Sequence, residues 1–414
     1  MTTTINNKHN KLNFSSEREQ SQACLNSAEH EKNQGRKVLN VPNLRFKEFQ
    51  GEWRRSKFKK VITLQRGSSP RPIIKYITTS TDGVNWIKIG DMPHFGRIVT
   101  STEEKITREG AKKSRLVKKG DLILSNSMSY GLPYIMGIDG YIHDGWFVLK
   151  DFEDTFDKDY LCNLLISSAI QNQYKRLAAG GVVQNISSDL VNSVSVSIPL
   201  MEEQKKISSL LNLIDDRIAT QNKIIEDLKK LKSAISHILF SSKCAIHLSD
   251  IANVVMGQSP SSNAYNDQGI GMPLVQGNLD ISNGKTTPRL YTAEFNQTAE
   301  EGNIILTVRA PVGEVAKATK KVCLGRGVCA IIPHEENMSD FIYQYLTFYK
   351  FMWRRYEQGS TFTSINGSDV RNIPCPKVRN VSILTLLDRK INIEERVIKL
   401  YQSQKQYMLC QMFI

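Results

Sequence analysis

At 414 residues the chain exceeds one ordinary domain and predicts two or three. Its 40% apolar content excludes a disordered chain, and no uncharged apolar run is long enough to cross a bilayer. The formal charge of +14 suits a polyanionic partner; counted by segment it is +2 for residues 1–37, +7 for 38–200, +1 for 201–242, +1 for 243–378 and +3 for 379–414.

Basicity is thus concentrated in the first large block, and charge alone predicts one nucleic-acid-binding domain rather than two. The polar N-terminus lacks the apolar core of a secretory signal. Seven cysteines, an odd number without a CxxC pair, favour reduced thiols in a cytosol over a disulfide framework. Cys323 and Cys329 lack zinc-site spacing and read as small core hydrophobes.

Residues 1–37, rich in Asn, Ser, Gln, Glu and Lys, read as a flexible polar arm. Beyond them the chain repeats itself. Gly67-Ser68-Ser69-Pro70 is answered by Gly257-Gln258-Ser259-Pro260, and Trp86-Ile87-Lys88-Ile89-Gly90-Asp91 by Pro273-Leu274-Val275-Gln276-Gly277-Asn278. Lys119-Gly120-Asp121-Leu122-Ile123-Leu124-Ser125 is answered by Glu301-Gly302-Asn303-Ile304-Ile305-Leu306-Thr307, with Gly131 and Gly313 six residues further on. Glycine loops at 180–186 and 359–365 follow, and Pro199 and Pro376 close the two blocks. The offset falls only from 190 to 177, so the ordered series carries weight that no single Gly/Pro match would. Alternating apolar runs between turns predict short strands, and 158–176 and 340–356 predict helices. Each block is therefore a mixed α/β domain, at 38–200 and 243–378.

A helical segment follows each block, at 201–242 and 379–414. In the first, Ile207, Leu211, Ile214, Ile218, Ile225, Leu228, Ile235 and Leu239 recur at alternating spacings of four and three, with Gln221 and Lys232 filling two seam positions. In the second, Leu387, Ile391, Glu394, Ile398, Tyr401, Lys405, Met408 and Met412 repeat the seam 173 residues later, with a polar residue and a lysine at matching places. One apolar stripe is ordinary core packing; two with the same interruptions predict that the helices pack on each other as a coiled coil. Forty residues of helix extend roughly 60 Å.

Catalytic patterns are missing. There is no GxxxxGK[ST] phosphate loop, no Rossmann glycine fingerprint, no Asn-Pro-Pro-aromatic tetrapeptide and no HExxH. Gly325-Arg326-Gly327 reads as a bend in a strand, and His94 and His143 as surface or strand-edge histidines. Glu202-Glu203 and Asp215-Asp216 read as the solvated face or first-turn charge of a helix. No metal or cofactor is expected, and the chain reads as a binding protein.

Val41-Pro42-Asn43-Leu44-Arg45-Phe46-Lys47-Glu48-Phe49, followed by Gly51-Glu52-Trp53, resembles the opening of type I restriction–modification specificity subunits. Ile198-Pro199-Leu200-Met201-Glu202-Glu203-Gln204-Lys205-Lys206-Ile207 is similar to that family's step into its central helix, and Leu213-Ile214-Asp215-Asp216-Arg217-Ile218 continues the likeness. The resemblance covers roughly 41–414. The second copy departs after Pro376, where Lys377-Val378-Arg379-Asn380-Val381 lacks the Glu-Gln pair, and resumes at Leu387-Asp388-Arg389-Lys390-Ile391.

The resemblance implies two target recognition domains, each reading half of an asymmetric bipartite site on double-stranded DNA, on two helices paired antiparallel as a spacer. It implies partners as well: methyltransferase subunits, two of them, that bind S-adenosylmethionine, and a motor-nuclease subunit. Base reading needs donors and acceptors on loops. The candidates are Ser68, Ser69, Arg71, Lys88, Asn126, Ser127, Tyr130, Gln184 and Asn185 in the first domain. In the second they are Gln258, Ser259, Gln276, Asn278, Arg309, Ser360, Thr361 and Thr363. Lys112, Lys113, Arg115, Lys118 and Lys119 are expected to grip phosphate. The first block would then supply more salt-sensitive grip, and the second would depend on its loops. Two other readings stay open: a protein–protein scaffold with adaptor domains on a coiled-coil rod, and a remnant of an enzyme whose catalytic part lies on another chain.

Overall fold

The computed structural model describes residues 39–93, 96–126, 131–178, 186–242, 244–355, 364–377 and 380–414. The chain divides into two compact units, one of residues up to Thr220 together with Ile398–Ile414, the other Gln221–Val397. Among the described residues no helix is long and apolar enough to cross a membrane.

In the first unit a ribbon of Arg54–Lys57 and Ser195–Ile198 joins the two ends of the block. One five-stranded sheet runs in the order Thr63–Arg66, Trp146–Lys150, Leu122–Ser125, Pro133–Met136, Ile98–Val99. The other runs Ile77–Thr78, Glu104–Ile106, Val84–Ile87, Gly140–Ile142, Arg115–Val117. Strand Leu122–Ser125 shows why its sequence is apolar without alternation: both of its faces are buried. Leu122 and Leu124 enter the core formed with the helices, whereas Ile123 enters the core formed with Ile87, Val117 and Ile142 of the other sheet. Trp146 and Val148 on one side, and Phe147 and Leu149 on the other, divide in the same way.

The second unit repeats this plan. Its ribbon is Cys244–His247 with Pro374–Pro376. A six-stranded sheet runs Ala252–Met256, Val328–Pro333, Ile304–Thr307, Val315–Lys317, Lys285–Thr286, Ile281–Ser282, and a five-stranded one Tyr265–Asn266, Leu290–Thr292, Met272–Val275, Val322–Leu324, Thr298–Ala299. Ile304 and Leu306 again face the helices, and Ile305 the other sheet. The register corrects the repeat alignment by one residue at a single place. Ile87 pairs with Ile142, and Val275, not Leu274, pairs with the matching Leu324, so Lys88 corresponds to Gln276. Positive φ at Gly131 and Gly313 lets the chain turn where a Cβ would lie 2.6 Å from Tyr174 and 2.2 Å from Trp353.

The predicted helix at 158–176 is broken. Lys158–Ile166 ends at Ser167, which has an extended backbone, and Ser168–Ala178 starts anew. The one predicted at 340–356 is Ser339–Tyr349, continued by a 3-10 turn, Lys350–Arg355. The long helices are Met201–Phe240 and Ser382–Gln411. Every predicted seam residue is buried or half-buried in them.

In the second unit the two helices run antiparallel: Lys229 Nζ meets Glu395 Oε1 at 2.8 Å and Lys232 Nζ meets Asp388 Oδ1 at 2.6 Å. Between them Gln221 donates to Glu394, its own counterpart in the repeat. In the first unit Lys405 pairs with Asp215, the counterparts of Lys232 and Asp388. Asp215 is also 3.2 Å from Arg97 Nη2, so it is an ion-pair centre and not a solvated charge.

Glu203 corrects the reading of Glu202-Glu203 in the same sense. Its side chain is 0% exposed and accepts from Arg45 Nε at 2.8 Å and Nη2 at 2.9 Å. The two family-like stretches are therefore joined by a bidentate ion pair, beside which Lys206 meets Glu48 and lies over the Phe46 ring. The Glu203 contact raises the Arg45 guanidinium above its ordinary value, with burial opposing. Gln204, also buried, donates to Thr155 O and Pro199 O and accepts from the Asp157 N–H, tying the helix start to the loop before Lys158. The second long helix instead starts beyond Asn380, whose side chain accepts from the Ser382 N–H. Arg45→Ala leaves the Glu203 carboxylate buried and alone and is expected to cost about 3–5 kcal/mol in denaturant unfolding, with Glu203→Gln costing clearly less.

Candidate nucleic-acid interface

Each unit builds the same loop platform. In the first, the Gly67 N–H donates to Trp146 O at 2.8 Å, Ser68 N–H to Ile142 O at 3.3 Å, Trp146 N–H to His143 O at 3.2 Å and Asn126 N–H to Gly145 O at 3.0 Å. In the second, Gly257 donates to Val328 O at 3.0 Å, Gln258 to Leu324 O at 2.9 Å, Val328 to Gly325 O at 3.1 Å and Val308 to Gly327 O at 2.9 Å. A Cβ at Gly67 would lie 2.0 Å from His143 O, and one at Gly257 2.1 Å from Gly325 O, so both glycines are set by this close approach. Gly325-Arg326-Gly327 is thereby a tight turn between two strands, not a bend within one.

A serine clips the turn in both copies. Ser69 Oγ accepts from the Asp144 N–H at 3.4 Å and donates to Asp144 Oδ1 at 2.7 Å. Ser259 Oγ accepts from the Arg326 N–H at 3.0 Å. Beside each turn lies a cleft. The first, about 520 Å³, is lined by Ser69, Arg71, Trp86, Lys88, Glu104 and Asp144 among others. The second, about 530 Å³, includes Ser259, Gln276, Asn278, Arg289, Arg309 and Arg326.

The electrostatics of the two clefts differ in a way the block charges do not show. In the first, Lys88 Nζ is held 2.7 Å from Glu104 and Arg71 lies 3.3 Å from Asp144, so the charges largely cancel. The hydrogen bond from Ser69 holds the Asp144 carboxyl below its ordinary value, with the Arg71 and His143 charges adding to this. Burial pushes the His143 imidazole down despite its acidic neighbour. In the second cleft Arg289 pairs with the buried Asp280 at 3.0 Å, while the exposed guanidinium groups of Arg309 and Arg326 have no ion-pair partner among the described residues. The near-neutral block carries the more cationic cleft.

The structure thus gathers Ser69, Arg71 and Lys88 in one cleft and Ser259, Gln276, Asn278 and Arg309 in the other. Gln258 is exposed beside Ser259. Ser68 donates to Lys113 O at 3.1 Å, which puts it with the exposed Lys112, Lys113 and Arg115. Arg115 Nε donates to Arg66 O at 3.2 Å, and Lys113 donates to the Tyr76 hydroxyl, which raises its ammonium above the ordinary value. Lys118 and Lys119 are exposed on the turn whose backbone N–H groups Asp121 and Asp139 accept from. Asn126 is buried and donates to Asp144 O at 2.9 Å, so its side chain buttresses the turn. Ser127, Tyr130, Gln184, Asn185, Ser360, Thr361 and Thr363 lie outside the described residues, as does His94. Sequence reasoning missed Asp144 and Arg326, although extending the repeat at its mid-block offset sets them opposite each other.

Each unit thus presents polar loops around a matching cleft on the same strand-rich plan. The sequence pattern described as the type I restriction modification DNA specificity domain matches residues 50–230 and again 245–400, and the chain belongs to that family. It is the specificity subunit of a type I restriction–modification system, a recognition component and not a catalytic one. A similar protein is the MjaX specificity subunit of a type I restriction enzyme from Methanocaldococcus jannaschii, 28% identical over 74% of this chain and 76% of its own length. The MjaVIII specificity subunit of the same organism is 27% identical over 47% of each chain. Among solved structures, a chain from a type I restriction–modification system, described in terms of complex assembly and conformational transition, has a TM-score of 0.60 at 21% identity, covering 86% of this chain and 96% of that one. The S subunit from M. genitalium has a TM-score of 0.58 at 17% identity, covering 90% and 99%. These structures establish the shared fold.

Removing the Ser69 hydroxyl should raise the Asp144 pKa toward its ordinary 3.8, as read by carboxyl NMR titration of Ser69→Ala. Because the folded value is the lower one, the stabilisation is present above the ordinary value and lost as pH falls through the depressed one, so the variant should lose part of that acid-side dependence.

Proposed function

We propose that the chain reads a bipartite, asymmetric site on double-stranded DNA, residues 38–200 and 243–378 acting as target recognition domains for one half each. The observation that carries this reading is the platform itself: one hydrogen-bond scaffold, present twice, displaying different side chains in its two clefts. Identical readers would select a repeated half-site; the same frame with Lys88 and Asp144 in one copy and Gln276 and Arg326 in the other selects two unlike ones.

The helices 201–242 and 379–414 act as the spacer. Half-sites on a duplex are separated by a distance that their readers must match, about 34 Å per turn, and a paired helix is stiff enough to set it. The exposed faces of the helices and domains dock methyltransferase subunits, two per chain, which bring S-adenosylmethionine. A motor-nuclease subunit joins for cleavage. Exposed lysines and arginines such as Lys112, Lys113 and Arg115 hold phosphate and make binding fall with salt.

Exchange of residues 243–378 for the corresponding block of a subunit with a different target tests this. The methylated sequence should change in one half only, with the other half and the gap retained. A change in both halves, or in neither, would sink the modular reading.

A further inference from the structure

The turn after the strand Gly140–Ile142 and its counterpart after Val322–Leu324 are held by the same backbone bonds and the same serine clip, yet their central residues carry opposite charges. We propose that this residue contacts a base edge and sets the base its unit reads: Asp144 takes the N4 amino group of a cytosine, and Arg326 the O6 and N7 edge of a guanine. The proposal rests on the reading above that each unit recognises half of a DNA site.

The reversal of sign between Asp144 and Arg326 points away from a phosphate contact. A position that grips phosphate must be cationic or neutral in both copies, because a carboxylate there meets a polyanion and is repelled. A position facing base edges has no such constraint, since the major groove offers amino donors as well as carbonyl and ring-nitrogen acceptors. The clip makes the exchange possible without refolding. In both copies the serine hydroxyl accepts from the backbone N–H of the variable residue, so the turn holds its shape whichever side chain projects.

The flanking residues narrow the options further. Gly325 and Gly327 pass so close to Gln276 that a Cβ would lie 3.1 Å from its Cα and 2.1 Å from its carbonyl oxygen respectively, so the backbone there is fixed and only the Arg326 side chain extends. Asp144 keeps acceptor capacity: Oδ1 takes the Ser69 hydroxyl, and Oδ2 faces only Arg71, itself 82% exposed at 3.3 Å. Arg326 thus stands at its cleft without an ion-pair partner among the described residues, while Asp144 offers Oδ2, which an incoming amino group would take over from the exposed Arg71.

The test uses the full chain assembled with the methylation subunits of its host, offered randomised duplexes from which bound sequences are read. Wild type should select a guanine in one half and a cytosine in the other that respond to these residues separately. Arg326→Gln should turn that guanine into adenine, lowering binding to the original site about tenfold to a hundredfold, and Asp144→Asn should turn the cytosine into adenine. Replacing the guanine by 7-deazaguanine should weaken wild type but leave Arg326→Gln unaffected. Unchanged base selection by both variants, with a bipartite motif intact, would overturn the inference and leave the specificity reading standing. So would a loss of binding equal for all sequences, the mark of a phosphate contact. Absence of any bipartite motif from wild type would overturn both. Both side chains project from a surface turn, and thermal melting of the assembled variants within a degree or two of wild type shows that the changes arise from contact and not from unfolding.

Discussion

The polar contact between Gln221 and Glu394 constrains the helix pair more than any apolar residue in the seam. Leucine and isoleucine tolerate a shift of one heptad, because the next position presents a similar surface. Glu394 does not: displaced by seven residues it would keep its own-helix partner Lys390 but lose the Gln221 amide and face aliphatic carbon instead. The half-buried lysines act alike, each meeting an aspartate, Asp388 for Lys232 and Asp215 for Lys405. Register is thus fixed by polar pairing along a seam whose stability comes from apolar burial.

That register matters because neither unit has a complete core without both helices. Ile207 and Leu211 of the central helix and Leu409, Met412 and Phe413 of the C-terminal one close the first core. Phe240, with Ile235 and Leu239, and then Val381 and Leu384 do so in the second. Folding of the loop platforms and pairing of the helices are consequently one cooperative problem. The bonds common to the two turns are backbone contacts and a serine that accepts from the backbone N–H of the displayed residue, to which Ser69 adds a bond to the Asp144 carboxylate.

The helical seams were legible in the sequence because two copies with the same polar interruptions are hard to produce by chance, and because period and burial coincide on a helix. The doubled α/β plan was legible from ordered turns. Sheet order was not, since short strands pair across long stretches of chain and leave no local sign. The one-residue slip at Lys88 and Gln276 has the same origin: with neighbouring turn residues equally plausible, only the ladder settles the match. Glu203 looked like a helix-end surface charge because its partner, Arg45, is 158 positions away. The cationic cleft of the second unit was hidden by a tally that balances Arg309 and Arg326 against acids lying elsewhere in the block.

The proposal that paired helices set the gap between two half-sites is tested most directly by the methylome of a host carrying a lengthened chain. One heptad inserted into each helix, at the level where Lys229 meets Glu395, preserves the seam and adds about 10 Å. The account predicts both half-sites unchanged and the gap between them longer by about three base pairs. Altered half-sites, or an unchanged gap in a chain that still methylates, would contradict it.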